Sequence, residues 1–226
     1  MARAAIVTGA GSGIGLAIAR TLHEEGVALT LAARGAGPLE AAAAELGDAL
    51  AVPTDVADDN ACARLVAAHA DRYGRLDVLV NAAGLAGAGT MESTGPDEWD
   101  RLFAVNARAP FVLIRLALPL LRASRGLIVN IASLSGVEPA DGLAVYGASK
   151  AALISLTHSL AVEVQGDGIR AVTINPGYVD TPMAAGLTAL AGDEMIRPED
   201  CAEVVRMLLR VGPRARISQI DIDRMQ

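Results

Sequence analysis

Short runs of consecutive apolar residues alternate along this chain with longer segments in which apolar residues recur at helical spacing. Continuous apolar runs are typical of strands that are buried on both faces of a parallel sheet. Glycine follows several helical segments, as at Gly26, Gly47 and Gly74, where it favours the end of a helix. The predicted strands are residues 4–8, 27–33, 49–53, 76–80, 126–131, 169–174 and 217–222, and the clearest helices are residues 16–25, 38–46, 58–73 and 198–210.

Strand and helix follow each other with short turns, which predicts a doubly wound α/β fold. In such a fold a parallel sheet, here of about seven strands, carries helices on both faces. The chain has 226 residues and no linker, so we expect one domain, residues 1–226. Thr94-x-x-Asp97 resembles a capping box, with Pro96 in the first turn, and predicts the start of a long helix that carries Asn106.

A glycine-rich loop, Gly9-Ala-Gly-Ser-Gly-Ile-Gly15, separates the first predicted strand from the first predicted helix. Glycine lets the backbone approach a pyrophosphate closely, and the helix N-terminus offers free N–H groups to the phosphates. The spacing is Thr8-Gly9-x-x-x-Gly13-x-Gly15, and Ile14 stands where the usual dinucleotide fingerprint has a Gly or Ala. A flexible loop is the alternative, but the flanking strand and helix favour a phosphate site.

Further candidate residues follow other predicted strands. Arg34 follows the second strand, Asp55 the third, and the segment 81–84, Asn-Ala-Ala-Gly, the fourth. Ligands in doubly wound sheets bind beyond the carboxyl ends of the strands. We therefore expect these loops and the glycine-rich loop to meet at one edge of the sheet.

The segment Tyr146-Gly-Ala-Ser-Lys150 places a phenol and an ammonium four residues apart, on one face of a helix. A free phenol has a pKa of about 10, and a neighbouring cation lowers that pKa toward values useful for proton transfer. By itself the pair could equally be a helix surface with one aromatic and one solvated amine.

Six motifs along nearly the whole chain resemble those of the short-chain dehydrogenase/reductase family, in its single-domain branch. They are Thr8-Gly-x-x-x-Gly-Ile-Gly15, Asn81-Ala-Ala-Gly84, Asn106, Ser133, Tyr146-x-x-x-Lys150 and Asn175-Pro-Gly177, in the family's order. The resemblance implies a Rossmann-type fold, a nicotinamide cofactor, and hydride transfer between that cofactor and a carbonyl or secondary alcohol.

The resemblance also implies roles for single residues. Tyr146 would be the general acid or base, and Lys150 would lower its pKa and hold the nicotinamide ribose. Ser133 would hydrogen-bond the substrate oxygen, and Asn106 would hold a water that passes protons to Lys150. The residues expected at the cofactor are Thr8, Gly9, Gly11, Ser12, Gly13, Ile14, Gly15, Arg34, Asp55, Val56, Asn81, Ala82, Ala83, Gly84, Tyr146, Lys150, Pro176, Gly177, Val179 and Thr181.

Three of these assignments have a structural alternative. Ser133 could cap a helix or loop, and Asn106 could satisfy backbone groups inside a kinked helix. Thr181, which resembles the position that contacts the nicotinamide carboxamide, could instead be a helix N-cap.

The end of the second strand bears on the choice of cofactor. NAD-preferring relatives carry an acidic residue there, whereas this chain has Ala33 followed by the cation Arg34. A guanidinium can bind a 2′-phosphate with a planar pair of donors. The glycine-rich loop has Ser12 where many NADP-preferring relatives have a second cation. Arg34 could also be a solvated arginine at the end of a strand. We therefore expect NADP, ahead of NAD.

Composition and charge argue against several other classes of protein. A net charge of −7 gives no basic surface for nucleic acid, and polar residues and prolines within residues 102–121 argue against a membrane span. Cys62 and Cys201 are isolated, so we predict reduced packing residues and no metal site. The chain starts directly with a strand, so we expect no signal peptide and a cytoplasmic protein.

Partners and competing functions complete the prediction. We expect a small-molecule carbonyl or alcohol substrate and a homodimer or homotetramer formed through the helices with Asn106 and Tyr146. Residues 178–196 are short for a lid, and the chain lacks the family's glycine-containing tail, which together predict an open pocket.

The alternative functions are a catalytically silent regulatory protein and a lyase or epimerase, but Ser133, Tyr146 and Lys150 are intact and no larger substrate domain is present.

Overall fold

The computed structural model describes residues 2–185, 187–212 and 214–225, and its centre is one parallel sheet. The strands are β1 (Ala4–Thr8), β2 (Ala28–Ala33), β3 (Leu50–Pro53), β4 (Val78–Asn81), β5 (Leu127–Ile131), β6 (Arg170–Pro176) and β7 (Gln219–Ile222). Their order in the sheet is β3-β2-β1-β4-β5-β6-β7, and every pairing is parallel. The predicted Rossmann-type doubly wound sheet is confirmed.

Within the described residues, seven α-helices surround the sheet. They are α1 (Gly13–Glu24), α2 (Ala36–Glu45), α3 (Asp59–Tyr73), α4 (Pro96–Phe103), α5 (Ala109–Ser124), α6 (Ala144–Glu163) and α7 (Pro198–Arg210). Buried side chains of α1, α2 and α7 pack on one face, and those of α3, α5 and α6 pack on the other. The chain order reverses between β1 and β4, which leaves a crevice at their carboxyl ends.

Most of the predicted elements differ from the observed ones by one to three residues at an end. Helix α1 begins at Gly13, so the last residues of the glycine-rich motif, Gly13 to Gly15, already form the first turn of the helix. Strand β6 continues through Pro176, since β7 pairs with it up to Ile222. The capping box at Thr94 is wrong: Gly95 is the N-cap of α4, and the Thr94 hydroxyl donates to the Thr90 carbonyl at 2.9 Å instead.

Helices α4 and α5 are joined without a break by a π-helical turn, Ala104–Arg108, that contains Asn106. A π turn accommodates one extra residue, and such turns are frequent at functional sites. Within the described chain, the combined helix Pro96–Ser124 alone is long and apolar enough to cross a membrane. Half of its most apolar 18-residue stretch is buried in the fold. Its burial is that of a core helix packed on the sheet.

Candidate active site

A cleft of about 690 Å³ opens at the carboxyl edge of the sheet, between the loops that follow β1, β2, β3 and β4. The four loops converge there as predicted. The predicted residues that line the cleft are Gly9, Gly11, Ser12, Gly13, Ile14, Gly15, Arg34, Asp55, Val56, Ala82, Ala83, Gly84 and Thr181. The cleft is long enough to span the ends of four strands, as an extended dinucleotide requires.

The glycine-rich loop is packed too closely for side chains at three positions, Gly9, Gly13 and Gly15. A Cβ on Gly15 would lie 2.3 Å from the Gly9 carbonyl oxygen, and a Cβ on Gly13, whose φ is +54°, would lie 2.9 Å from the Thr181 methyl. Ser12 is the N-cap of α1 without a side-chain cap bond, and the first N–H groups of a helix lack intrahelical partners. This cradle fits a pyrophosphate, so the residues present fit a dinucleotide.

Thr8 and Asn81, both expected at the cofactor, do not line the cleft. Thr8 Oγ1 accepts hydrogen bonds from the backbone N–H groups of Ala82 and Ala83, both at 3.1 Å. Asn81 Nδ2 donates to Asn130 Oδ1 at 2.8 Å, and both amides are buried. Both side chains lie within the sheet, where the Thr8 hydroxyl holds the loop that follows β4. Their place at the cofactor stays a prediction.

The cleft also contains residues that the motifs did not indicate: Ala33, Gly35, Pro38, Thr54, Leu85, Val105, Pro182 and Met183. Most of them are neighbours of predicted residues: Gly35 follows Arg34 as the N-cap of α2, and Pro38 lies in the first turn of that helix. Val105 is different, since it reaches the cleft from the π turn, and no local sequence signal marks a π turn. Arg34 is exposed at the cleft and forms no ion pair with any residue that the structure describes.

A second pocket, of about 340 Å³, adjoins the cleft and shares part of its wall, including Gly84 and Thr181. Ser133, Tyr146 and Lys150 line it, as do the predicted residues Pro176, Gly177 and Val179. Its other wall is largely apolar and comes from two loops, with Leu134, Leu143, Tyr178, Met183 and Leu187 among the lining residues. The predicted catalytic groups therefore face a space next to the cofactor cleft.

Ser133 and Tyr146 meet across this pocket. Burial raises the pKa of the Tyr146 phenol, while hydrogen bonding by the Ser133 hydroxyl lowers it by a smaller amount. Ser133 Oγ also accepts from the Ser135 N–H at 3.2 Å and caps the 3₁₀ turn Leu134–Gly136, so its structural alternative is realised as well. The Ser133 side chain thus shapes the loop and lines the same pocket as the phenol.

Lys150 is buried below Tyr146 and is the only lysine in the sequence. Its Nζ donates to the Ile131 carbonyl at 2.9 Å and lies 5.8 Å from the centroid of the Tyr146 ring. Burial lowers the pKa of Lys150 from its ordinary value to about 8. The expected lowering of the Tyr146 pKa is not present in this structure, because burial dominates at the phenol and the ammonium is directed to a carbonyl.

Among the described residues, Asn106 makes no hydrogen bond with Lys150 or Tyr146, and its side-chain amide is paired with Leu85 and Ser149 instead. Oδ1 accepts from the Leu85 N–H at 2.8 Å, and Nδ2 donates to the Leu85 carbonyl at 2.9 Å and to Ser149 Oγ at 3.0 Å. Asn106 therefore satisfies backbone groups, but they belong to Leu85 in the loop after β4 and not to the irregular helix itself.

Thr181 follows the short segment after Gly177 and does not cap a helix. Its Oγ1 donates to the Val179 carbonyl at 3.3 Å, and its methyl lies against Gly13 of the glycine-rich loop. Val179 pairs with Ile196 in an isolated parallel bridge beside the pocket. Thr181 therefore sits where the cleft and the pocket join.

Comparison with known proteins agrees with this geometry. The family model for short chain dehydrogenases matches residues 3–191. An uncharacterized oxidoreductase of Staphylococcus aureus (strain MW2) is 35% identical over 221 residues, covering 96% of this chain and 95% of its own.

Two solved structures are also similar over nearly their whole length. A 3-ketoacyl-(acyl-carrier-protein) reductase from Brucella melitensis, complexed with NADH, has a TM-score of 0.92 and 29% identity, with 98% of this chain and 96% of that chain covered. A metagenomic short-chain oxidoreductase in complex with NADP has a TM-score of 0.86 and 34% identity, with 99% and 97% covered.

Proposed function

Because this chain belongs to the short-chain dehydrogenase/reductase family, we propose that it transfers a hydride between NADP and a carbonyl compound or secondary alcohol, with Tyr146 as the general acid or base. The observation that carries the proposal is the arrangement of Ser133, Tyr146 and Lys150 around one pocket that opens directly onto the dinucleotide cleft. We further propose that one domain, residues 1–226, performs both binding and catalysis.

The protein's own groups would act on the substrate oxygen. In reduction, the Tyr146 phenol donates its proton to the carbonyl oxygen, and in oxidation the phenolate accepts the alcohol proton. The Ser133 hydroxyl stabilises the charge that develops on this oxygen. Lys150, Tyr146 and the loop at Gly84 would hold the cofactor's ribose side, and the bound nicotinamide supplies or accepts the hydride.

The preference for NADP rests on the end of β2. Ala33 and Arg34 line the cleft, so no carboxylate stands at the end of this strand and a guanidinium does. An acidic residue there would repel a 2′-phosphate, whereas Arg34 can bind it in a bidentate manner. Among the similar solved structures, one is complexed with NADP and another with NADH, which leaves the choice to the residues of this chain.

The alternative function is that of a catalytically silent regulatory protein. No observation favours it, since Ser133, Tyr146 and Lys150 are all present around a pocket that adjoins the cleft. A screen separates the two functions. Ketones, quinones and secondary alcohols are offered with NADPH or NADP, and the absorbance of the reduced nicotinamide is followed, with Tyr146→Phe as the matched control. Turnover by the wild type that the Tyr146→Phe variant largely loses is expected; cofactor binding without turnover of any compound would favour the regulatory function.

A further inference from the structure

Ser149 lies on α6, the helix that carries Tyr146. Its buried hydroxyl connects this helix to Asn106, which in turn holds the loop that lines the cofactor cleft. Its Oγ accepts from Asn106 Nδ2 at 3.0 Å and donates to the Tyr146 carbonyl at 2.7 Å. Ser149 is 0% exposed and Asn106 is 1% exposed. Both bonds are therefore made away from water, where an unpaired partner is costly.

The chain of bonds continues from Asn106 to the cleft. The amide of Asn106 holds both the N–H and the carbonyl of Leu85, which fixes the position and orientation of that residue. Leu85 and the preceding Gly84 line the cofactor cleft, and a Cβ on Gly84 would lie 3.4 Å from Asn106 Oδ1 and 3.5 Å from Lys150 Nζ. Leu85, Asn106, Ser149 and Tyr146 thus form one continuous polar path.

We propose that Ser149 is a positioning residue, which fixes the first turns of α6, and with them Tyr146, relative to the loop at Gly84 and Leu85 through Asn106. This inference rests on the proposed function, because the distance that it sets is the one between the phenol and the bound cofactor. The hydroxyl suits this role because it donates to one partner and accepts from another at the same time.

The same helix contains a matched control. Thr157 is also buried, its Oγ1 accepts from Asn130 Nδ2 at 2.7 Å, and it donates to the Leu153 carbonyl at 2.7 Å. The two hydroxyls make the same pattern of bonds, but the path from Thr157 continues through Asn130 to Asn81 at the end of β4 and does not include Tyr146. Loss of either hydroxyl should cost similar stability, and only loss at Ser149 should alter the reaction.

The experiment compares the wild type with Ser149→Ala, Ser149→Thr and Thr157→Val. Ser149→Ala should lower kcat for the reduction of diacetyl by NADPH roughly 10- to 100-fold, the scale expected when a reacting group moves by a fraction of an ångström. The Kd of NADPH should change less than about threefold, since the bonds between Asn106 and Leu85 remain. Ser149→Thr, which retains the hydroxyl, should restore most of kcat, and Thr157→Val should leave kcat unchanged at a similar loss of thermal stability.

A second readout does not depend on turnover. With ¹³C-labelled tyrosine, the Tyr146 signal, assigned by its loss in Tyr146→Phe, should shift in Ser149→Ala and stay in place in Thr157→Val. If Ser149→Ala does not fold, Ser149→Cys, with a weaker hydrogen-bonding group of similar size, serves in its place. The inference is overturned if kcat and the Tyr146 signal of the Ser149 variant match the wild type, or if Thr157→Val has the same effect. Equal rates in the wild type and Tyr146→Phe would instead overturn the proposed function, and the Tyr146 signal would still decide the role of Ser149.

Discussion

Lys150 Nζ lies 5.8 Å from the centroid of the Tyr146 ring, yet its hydrogen bond goes to the Ile131 carbonyl and not to the phenol. Two buried ionisable groups therefore share one pocket with their pKa values displaced in opposite directions, the phenol upward and the ammonium downward. Both displacements disfavour the charged form, as burial requires. Neighbouring groups with shifted pKa values are typical of sites that move protons.

The Tyr146→Phe substitution removes only a hydroxyl. We expect it to lower kcat by roughly 10²–10⁴, the range for a lost general acid, and to leave the thermal midpoint and the Kd of NADPH nearly unchanged. Steady-state rates and cofactor fluorescence titration measure the two effects. A variant that reacts at nearly the wild-type rate would show that another group transfers the proton.

The pKa of Lys150 can be read without a mutation, because the sequence contains no other lysine. Protein labelled with ¹³C at the lysine Cε gives one side-chain signal, and its titration midpoint should lie at about pH 8. An exposed lysine would titrate at about 10.4. A midpoint near 10.4 would contradict the buried environment described for this ammonium.

The same shift has a consequence for stability. The folded-state pKa of Lys150 is lowered, so keeping this group charged destabilises the fold below about pH 8, and the penalty disappears as the pH rises toward about 10.4. At pH 7, Lys150→Met removes up to roughly 3 kcal/mol of destabilisation that comes from burying the charge. The substitution also leaves the Ile131 carbonyl unpaired, which costs about 1–3 kcal/mol of folding free energy. Urea unfolding at pH 7 and pH 10 should therefore show the wild type gaining stability relative to the variant at the higher pH. A difference that does not change with pH would contradict the lowered pKa.

Arg34 provides the test of cofactor choice. A single charged hydrogen bond contributes about 1.5–3 kcal/mol, so Arg34→Ala should weaken NADPH binding on the order of 10- to 100-fold and barely change NADH binding. Arg122→Ala is the matched control, since Arg122 is an exposed arginine paired with Asp167 at the other edge of the sheet. Tighter NADH binding by the wild type, or an equal loss for both cofactors in Arg34→Ala, would show that Arg34 does not bind the phosphate.

Self-association is expected through α5 and α6, which expose apolar side chains. Phe111 on α5 is 48% exposed and Val162 on α6 is 51% exposed, and exposed apolar surface of this kind marks interaction sites. We expect at least a homodimer by light scattering at micromolar concentration, and Phe111→Glu should shift it toward the monomer. Met207→Glu, on the opposite helix layer, tests whether α7 forms a second contact. A wild-type monomer would contradict the prediction.

The sheet and most of the cleft could be predicted from the sequence, because strand runs, glycines and helix ends are local signals. The contacts of Thr8, Asn81 and Asn106 could not, since each side chain is paired with a group far away along the chain. Asn130, for example, reaches Asn81 only because β4 and β5 are neighbours in register. The direction of the Tyr146 pKa was missed for a similar reason: the motif shows the neighbouring charge but not the depth of burial.

The cleft and the pocket draw on different parts of the chain. All but three of the cleft residues lie before residue 106, whereas most of the pocket wall lies between residues 131 and 187 and at residues 223–224. The residues proposed to bind the nucleotide and those proposed to bind the carbonyl compound thus come largely from successive halves of one polypeptide. Substitutions or exchanged segments at residues 134–143 and 178–187 can therefore change which compound is accepted while the groups around the adenosine end remain as they are.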